Sequence, residues 1–277
     1  MKHHFPLQFA ANLSWLYLDR PFLDRFQAAA DDGFRGVECL FPHEHAASEV
    51  QARLRDTGLQ LVLFNAAPGD WANGERGLAS LAGREADFQA SIHAALDLAQ
   101  RLACPRVHVM AGLSAPADRA RALALLETRL AWAAAQAVQA GVTLMIEPIN
   151  GRDMPGYLLN RQLEAHTLVQ RIGSPNLQVQ LDLYHCQVTE GDITTQLRQA
   201  LPSGRVGHLQ IAGVPDRGEP DAGELHYPHV FAELRALQWA GWIGCEYRPR
   251  QPGPGGTSAG LSWLHQVNAP QKENVQP

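Results

Sequence analysis

Four oxygen-bearing side chains recur at regular intervals in the second half of the chain. Glu147, Asp182, Gln210 and Glu246 lie at or near the C-terminal ends of short apolar, strand-like segments, and 35, 28 and 36 residues separate them. Each interval is about the length of one strand–loop–helix–loop unit. If successive strands are parallel neighbours, their C-terminal ends meet on one face, so the four side chains are predicted to converge there.

Three carboxylates and one amide oxygen form a hard donor set. Such a set suits Mg²⁺ or Mn²⁺, with Co²⁺ as a third candidate, better than a structural zinc. Without a cation the three negative charges would repel one another and raise the pKa of at least one carboxyl group. The spacing therefore predicts a divalent-metal site. Gln210 is open to a second interpretation, in which its amide only bonds a neighbouring backbone group.

Two of these carboxylates are suited to proton transfer. Glu147 and Glu246 follow the fifth and eighth predicted strands and could flank a bound substrate from two sides. Carboxylates beside a metal-chelated hydroxyketone can move a proton between adjacent carbons, while the metal polarises the carbonyl and stabilises the enediolate. The chemistry is aldose–ketose isomerisation or epimerisation at C3. His185 and Arg217, close after Asp182 and Gln210, are predicted to contact substrate oxygens.

Three further polar residues lie inside predicted strands. Glu38 is interpreted either as a support for the site or as a structural charge in the barrel, with the first favoured. His208 is two residues from Gln210 and so faces the same way, deeper in the barrel. His108 is expected to be a barrel histidine with a satisfied hydrogen bond.

The elements that position these residues follow a strict alternation. Strand-like runs alternate with helix-like runs, which implies parallel strands joined by helical crossovers. No glycine-rich phosphate loop follows the first strand, and eight near-equal units favour closure, so the prediction is a (β/α)8 TIM barrel. The predicted strands are 6–13, 34–41, 59–66, 104–112, 142–150, 177–185, 205–213 and 242–249. The predicted helices are 21–32, 44–57, 83–103, 116–140, 160–172, 192–200, 228–240 and 257–267.

The positions of glycines and the lengths of loops complete the predicted organisation. Gly33, Gly58, Gly141 and Gly241 precede strands and are each predicted to end a helix with a positive φ. The long loops 65–82, which carries Trp71, and 212–227 are predicted on the catalytic face. One domain is expected over 1–267, followed by a polar, disordered tail at 268–277.

Composition excludes several classes of function. The 277-residue chain is 45% hydrophobic, enough for one large core, and its net charge of −5 leaves no basic excess for a nucleic-acid partner. No apolar run reaches the length of a membrane span. The four cysteines are scattered without a paired motif, which is typical of buried thiols in a reducing compartment. A cytoplasmic protein is expected.

Several segments together carry a family resemblance. They are FAANLSWLY (9–17), GVECLFP (36–42), IEPINGRDMPGYLLN (146–160), LDLYHCQ (181–187), HLQIAGVPDRGEPDAGEL (208–225) and GCEYRP (244–249). In these the chain resembles the hydroxypyruvate isomerase family of xylose-isomerase-like TIM barrels, which includes 2-oxo-tetronate isomerases. The resemblance covers nearly the whole chain to about residue 265.

The resemblance implies specific roles for the candidate residues. Glu147 and Glu246 would be the acid/base pair and, with Asp182 and Gln210, the metal ligands. The implied reaction converts hydroxypyruvate to tartronate semialdehyde, or isomerises 2-oxo-tetronate, by proton transfer through an enediolate. Related ketose 3-epimerases usually carry His at the position of Gln210, which favours the isomerase.

Three rivals remain open at this point. A ketose 3-epimerase acting on free sugars would share the metal and the glutamates. A DNA-repair endonuclease of the same superfamily would need a three-metal cluster with many more histidine ligands and a basic groove, and neither feature is visible in the sequence. A non-catalytic sugar- or metal-binding barrel is disfavoured by the intact acid/base pair. The partner is predicted to be a small hydroxy keto acid or sugar, and monomer, dimer and tetramer all stay open.

Overall fold

The predicted strands close into one parallel barrel. The structure, a computed structural model, describes residues 6–268. Every strand pairs in parallel with the next in chain order, and the first strand closes the ring against the eighth. The prediction of a (β/α)8 barrel is confirmed. The strands are β1 (Gln8–Asn12), β2 (Gly36–Cys39), β3 (Gln60–Asn65), β4 (Arg106–His108), β5 (Thr143–Ile146), β6 (Leu177–Asp182), β7 (Val206–Ile211) and β8 (Trp242–Cys245).

The helices fill the crossovers between these strands. They are α1 (Arg25–Asp31), α2 (Ala47–Thr57), α3 (Glu85–Arg101), α4 (Arg119–Ala140), α5 (Gln162–Ile172), α6 (Leu183–Thr189), α7 (Ile193–Ala200), α8 (Tyr227–Ala236), α9 (Gly256–Ala259) and α10 (Ser262–Asn268). The sequence pattern does not predict α6, because the predicted strand 177–185 includes the first residues of this helix. The predicted strand 177–185 therefore ends three residues early, at Asp182.

Alternation along the strands separates two apolar regions. Leu209 and Ile211 of β7 face outward into the large core between barrel and helices. Inside the barrel, Ala10 and Met145 belong to a much smaller apolar cluster, against which Trp242 packs. Successive strand residues point to opposite faces, so the inner positions above this cluster are free for polar side chains.

Most of the predicted glycine stops have the expected backbone. Gly33, Gly58 and Gly141 have φ of 86°, 70° and 68°, the left-handed conformation that glycine adopts without steric cost. The prediction for Gly241 is wrong. α8 ends at Ala236, and Gln238 adopts the positive φ of 56° instead.

Other predictions concern the whole chain. All four cysteines are free and buried. Within residues 6–268 no helix has the length and apolar character needed to cross a bilayer. The predicted tail at 268–277 lies outside the described residues except for the backbone of Asn268, so the domain boundaries stay a prediction.

Candidate active site

The four predicted oxygen donors lie together at the C-terminal mouth of the barrel. Parallel pairing aligns Asp182 of β6 with Gln210 of β7, and Gln210 with Gly244 of β8. Glu246 follows two residues after Gly244, and Glu147 comes directly after β5. All four side chains are buried. We refer to Glu147, Asp182 and Glu246 as the carboxylate cluster.

Two members of the carboxylate cluster lie beside His185. One potential ligand atom from each of Glu147, Asp182 and His185 lies within 4.8 Å of the other two. Glu147 Oε1 and Asp182 Oδ2 are buried and have no hydrogen-bond partner among the described residues. A buried carboxylate oxygen without a partner is costly, so these two atoms are suited to receive a cation or a substrate hydroxyl.

A short helical turn brings His185 back over the strand that precedes it. Asp182 Oδ1 accepts a hydrogen bond of 2.7 Å from the backbone N–H of Tyr184 and so caps α6. The side-chain amide of Asn150 lies 2.6 Å from His185 Nδ1. His185 Nδ1 accepts from the Nδ2–H of Asn150 in the tautomer that carries its proton on Nε2. Nε2 lies 3.7 Å from Asp182 Oδ2, 4.0 Å from Glu147 Oε1 and 3.3 Å from Arg217 Nη2, so it faces the space that the carboxylate cluster surrounds.

Gln210 presents its amide nitrogen to the carboxylates. Its Nε2 donates to Glu246 Oε2 and to Glu38 Oε1, both at 2.7 Å, while its Oε1 accepts from Gln180 Nε2 at 2.6 Å. Gln180 Oε1 has no partner among the described residues. Rotating both amides would preserve their mutual hydrogen bond and turn the Gln210 oxygen toward Glu246. The assigned role of Gln210 as a metal ligand requires that rotation and stays a prediction.

Arg217 supplies positive charge within the carboxylate cluster. Its Nη2 donates to Glu246 Oε1 at 2.6 Å and lies 3.7 Å from Asp182 Oδ2. The guanidinium carbon lies 4.3 Å from the centroid of the Trp15 ring and 4.8 Å from that of Tyr184. The residue adopts a φ of 54°, which is uncommon for a side chain other than glycine. Two aromatic rings and two carboxylates therefore fix the position of this guanidinium.

Glu38 joins the strands beneath the site. Its carboxylate accepts from Gln210, from Asn12 Nδ2 at 2.9 Å, and lies 2.7 Å from His208 Nε2. Asn12 also donates to Glu246 Oε2 at 2.9 Å. The expected orientation of His208 is observed. The role of Asn12 was missed, although a polar residue that ends an apolar strand is a signal that could have identified it.

Burial dominates the electrostatics of the site. It raises the pKa of Asp182 to about 6 and that of Glu246 to about 8, although Arg217 lowers both. The pKa of Glu147 lies well above its ordinary value, through burial first and then through the charges of Asp182 and Glu246. Burial and then Arg217 hold the pKa of His185 well below its usual range, so its ring is neutral. Added positive charge would favour the ionised carboxylates.

These residues fit the predicted divalent cation. The donor set combines hard carboxylate oxygens, two of which are buried without partners, at the C-terminal ends of barrel strands. Glu147 and Asp182 contribute the two free oxygens. Arg217 Nη2 lies between Glu246 and Asp182, so a cation in the cluster would share these two ligands with that guanidinium.

The loop 65–82 lies beside this mouth and contains Trp71. The Trp71 ring packs edge-on against Phe41, with centroids 5.2 Å apart, and the guanidinium carbon of Arg76 lies 3.9 Å from its centroid. These contacts support the interpretation of Trp71 as a residue that holds its own loop. A role as a lid over substrate stays a prediction.

Replacing Gly244 by Ala is expected to lower the free energy of unfolding by about 1–3 kcal/mol, because overpacking a buried position costs that much. A Cβ atom there would collide with both carboxylate oxygens of Glu38. Gly151→Ala is the matched control, since its Cβ would meet nothing within 4 Å. Urea unfolding measures the free energy of unfolding of both variants. Equal stability of the two variants would contradict the tight packing of Glu38 against β8.

The chain matches known proteins over most of its length. The family model described as "Xylose isomerase-like TIM barrel" matches residues 26–267. The 2-oxo-tetronate isomerase of Cupriavidus necator is 58% identical over 93% of this chain and 97% of its own length. The hydroxypyruvate isomerase of Escherichia coli is 39% identical over 93% of this chain and 98% of its own.

A solved structure also matches almost the whole chain. The crystal structure described as AP endonuclease, family 2, from Brucella melitensis superposes with a TM-score of 0.90. The two sequences are 44% identical, and the match covers 94% of this chain and 99% of that one.

Proposed function

The chain belongs to the xylose isomerase-like TIM barrel family, and from this membership and the geometry of the mouth we propose that it isomerises a short hydroxy keto acid. Hydroxypyruvate, yielding tartronate semialdehyde, and 2-oxo-tetronate are the candidate substrates. The observation that carries the proposal is the pair of buried glutamates, Glu147 and Glu246, beside Asp182 and Arg217 in one cluster. The names of relatives that match over almost the whole chain support the substrate class.

The reaction needs one proton removed from carbon and one returned. A carboxylate takes the proton from the carbon that bears the hydroxyl, and the electron pair left behind forms the double bond of an enediolate. A proton then adds to the former carbonyl carbon, and the hydroxyl proton passes from one oxygen to the other. Glu147 and Glu246 are the groups that we assign to carry these protons, either one each or one of them in both steps.

Neighbouring residues orient the substrate and the bases. Asn12 and Arg217 donate to Glu246 and so fix the direction of its carboxylate, and Gln210 donates to it as well until its amide rotates. His185 Nε2–H and a further N–H of Arg217 would bind substrate oxygens. Exclusion of water from this buried cluster would keep solvent from exchanging with the proton on the base and from protonating the enediolate.

A divalent cation, Mg²⁺ or Mn²⁺ with Co²⁺ as the third candidate, is the proposed cofactor. Glu147, Asp182 and Glu246 would hold it, with Gln210 as the fourth ligand after rotation of its amide. When bound, such an ion polarises a carbonyl and stabilises negative charge on the substrate oxygens.

Two other activities are less well supported. The name of the Brucella structure suggests a nuclease, but the described residues contain one close group of three metal-capable side chains, and the chain carries a net charge of −5. A ketose 3-epimerase would use the same carboxylates, so substrate preference separates it from the isomerase.

Substrate preference tests the proposal directly. With Mn²⁺ present, kcat/KM for hydroxypyruvate or 2-oxo-tetronate is expected to exceed that for neutral ketoses by at least about 10-fold, the effect of one charge-assisted hydrogen bond. Product analysis by NMR should detect an aldehyde, tartronate semialdehyde, from hydroxypyruvate, and the 3-oxo acid from 2-oxo-tetronate. A higher kcat/KM for a free ketose, with a C3 epimer as product, would establish the alternative instead.

A further inference from the structure

Three arginines and two aromatic rings alternate at the mouth of the barrel. The guanidinium carbons of Arg217 and Arg248 lie 4.3 Å and 5.3 Å from the centroid of Trp15. Those of Arg217 and Arg152 lie 4.8 Å and 5.9 Å from the centroid of Tyr184. The rim therefore concentrates positive charge beside the carboxylate cluster, although the chain as a whole is acidic.

Two of the three guanidinium groups are already engaged. Arg217 is paired with Glu246 and lies 3.4 Å from Asp153. Arg152 Nη2 donates at 3.1 Å both to the hydroxyl of Tyr184 and to a backbone carbonyl of the loop after β7. Their main contribution is to hold this loop and the carboxylate cluster in place.

Arg248 differs from the other two. Among residues 6–268, its guanidinium makes no ion pair or hydrogen bond, and it lies over the Trp15 ring. Its backbone N–H donates to the carbonyl of Arg217 at 2.8 Å, which fixes the chain two residues after Glu246. The backbone of Arg248 is thus fixed beside the site, and the residue is exposed, so its guanidinium is open to a ligand.

The chemistry of this group indicates its ligand. A guanidinium stacked on an aromatic face leaves its edge free, and that edge matches the two oxygens of a carboxylate. A keto acid brings a negative charge to a site that already holds three carboxyl groups. Arg217 is paired with Glu246, so Arg248 is the arginine of this rim whose charge is left for the substrate. A neutral ketose brings no such charge to the site.

We propose that Arg248 binds the carboxylate of the keto acid substrate and thereby selects acids over neutral ketoses. The inference rests on the proposed function, since it assigns a residue to the acid group of that substrate. It makes Arg248 a specificity residue rather than a member of the proton-transfer machinery.

Arg248→Gln tests this assignment. For hydroxypyruvate, kcat/KM is expected to fall about 10- to 100-fold, mainly through a higher KM, because one charge-assisted hydrogen bond is lost. The kcat/KM for a neutral ketotetrose should stay unchanged. Arg248→Lys, which keeps the charge without the planar fork, should recover part of the loss. Calorimetric titration with glycerate, an unreactive hydroxy acid, should report the same loss of affinity without turnover.

Arg250→Gln is the matched control. Arg250 lies two residues further along the same loop, and its side chain is paired with Asp221 at 2.5 Å. This variant removes the same charge from the same loop, yet KM for hydroxypyruvate should stay within about two-fold of wild type.

The outcomes separate this inference from the proposed function. A wild-type protein without activity on hydroxy keto acids would refute the proposed function. An active wild type with an unchanged KM in Arg248→Gln would refute the role of Arg248 alone. An equal rise of KM in Arg250→Gln would also refute it, because the effect would then belong to the charge of the loop. If Arg248→Gln has a lowered melting temperature, Arg248→Lys is the variant that tests the inference. An unaltered KM in a fully folded lysine variant that also binds glycerate normally would refute bidentate binding of the substrate carboxylate by Arg248.

Discussion

Replacing Glu147 by Gln is expected to lower kcat by about 10²- to 10⁴-fold, the usual contribution of a positioned acid or base. Glutamine has nearly the same shape as glutamate, but it cannot accept a proton from carbon or return one to carbon. Because Glu147 Oε1 has no hydrogen-bond partner among the described residues, the substitution should leave the fold intact. Steady-state kinetics with hydroxypyruvate and circular dichroism measure the two quantities.

Glu246→Gln should have the same effect on kcat with an added loss of stability. The Glu246 carboxylate accepts from Asn12, Gln210 and Arg217, and an amide NH₂ would face at least one of these donors. Glu49→Gln, on the exposed face of α2, is the control for the chemical change itself. Near wild-type turnover in either active-site variant would mean that the proton carriers are other groups.

Removing divalent metal with a strong chelator is expected to abolish turnover, and adding Mn²⁺ or Mg²⁺ is expected to restore it. The same addition should raise the melting temperature, since a ligand at 100 times its dissociation constant stabilises the native state by about 2.7 kcal/mol. The physical reason is the buried carboxylate cluster, whose ionised form needs positive charge. Differential scanning calorimetry reports the shift independently of activity.

Asp182→Asn distinguishes metal binding from the capping role of this residue. Asparagine caps a helix about as well as aspartate, so α6 should persist and the metal-free melting temperature should change little. The increase on adding Mn²⁺ should be largely lost, because one ligand charge is removed. Full activity in strong chelator would argue for a mechanism without metal. An undiminished Mn²⁺ shift in Asp182→Asn would mean that Asp182 is not a metal ligand.

Much of the fold could be predicted from local pattern. Eight apolar runs alternating with amphipathic ones permit parallel strands with helical crossovers, and near-equal unit lengths favour closure. Boundaries were less predictable. The predicted strand 177–185 runs past the end of β6, because the Asp182 side chain accepts from backbone N–H groups and starts a helix there. The helix end predicted at Gly241 lies three residues beyond Gln238, the residue that adopts the positive φ.

Partners within the site were the least predictable part. Asn12 reaches Glu246 because β1 closes the ring against β8, a contact between residues 234 positions apart. Trp15 contacts Arg217 across the same junction. No periodicity in the sequence encodes such pairs, since they depend on closure of the barrel.

The sequence by itself determined which side chains reach the mouth, because strand spacing and parallel connection place Glu147, Asp182, Gln210 and Glu246 at the same ends of neighbouring strands. Only the tertiary structure decided how these groups face one another. It turned the nitrogen of Gln210 toward Glu246 and set Arg217 among the carboxylates. Position along a strand follows from chain connectivity, whereas orientation follows from the mutual satisfaction of buried charges and hydrogen bonds once water is excluded.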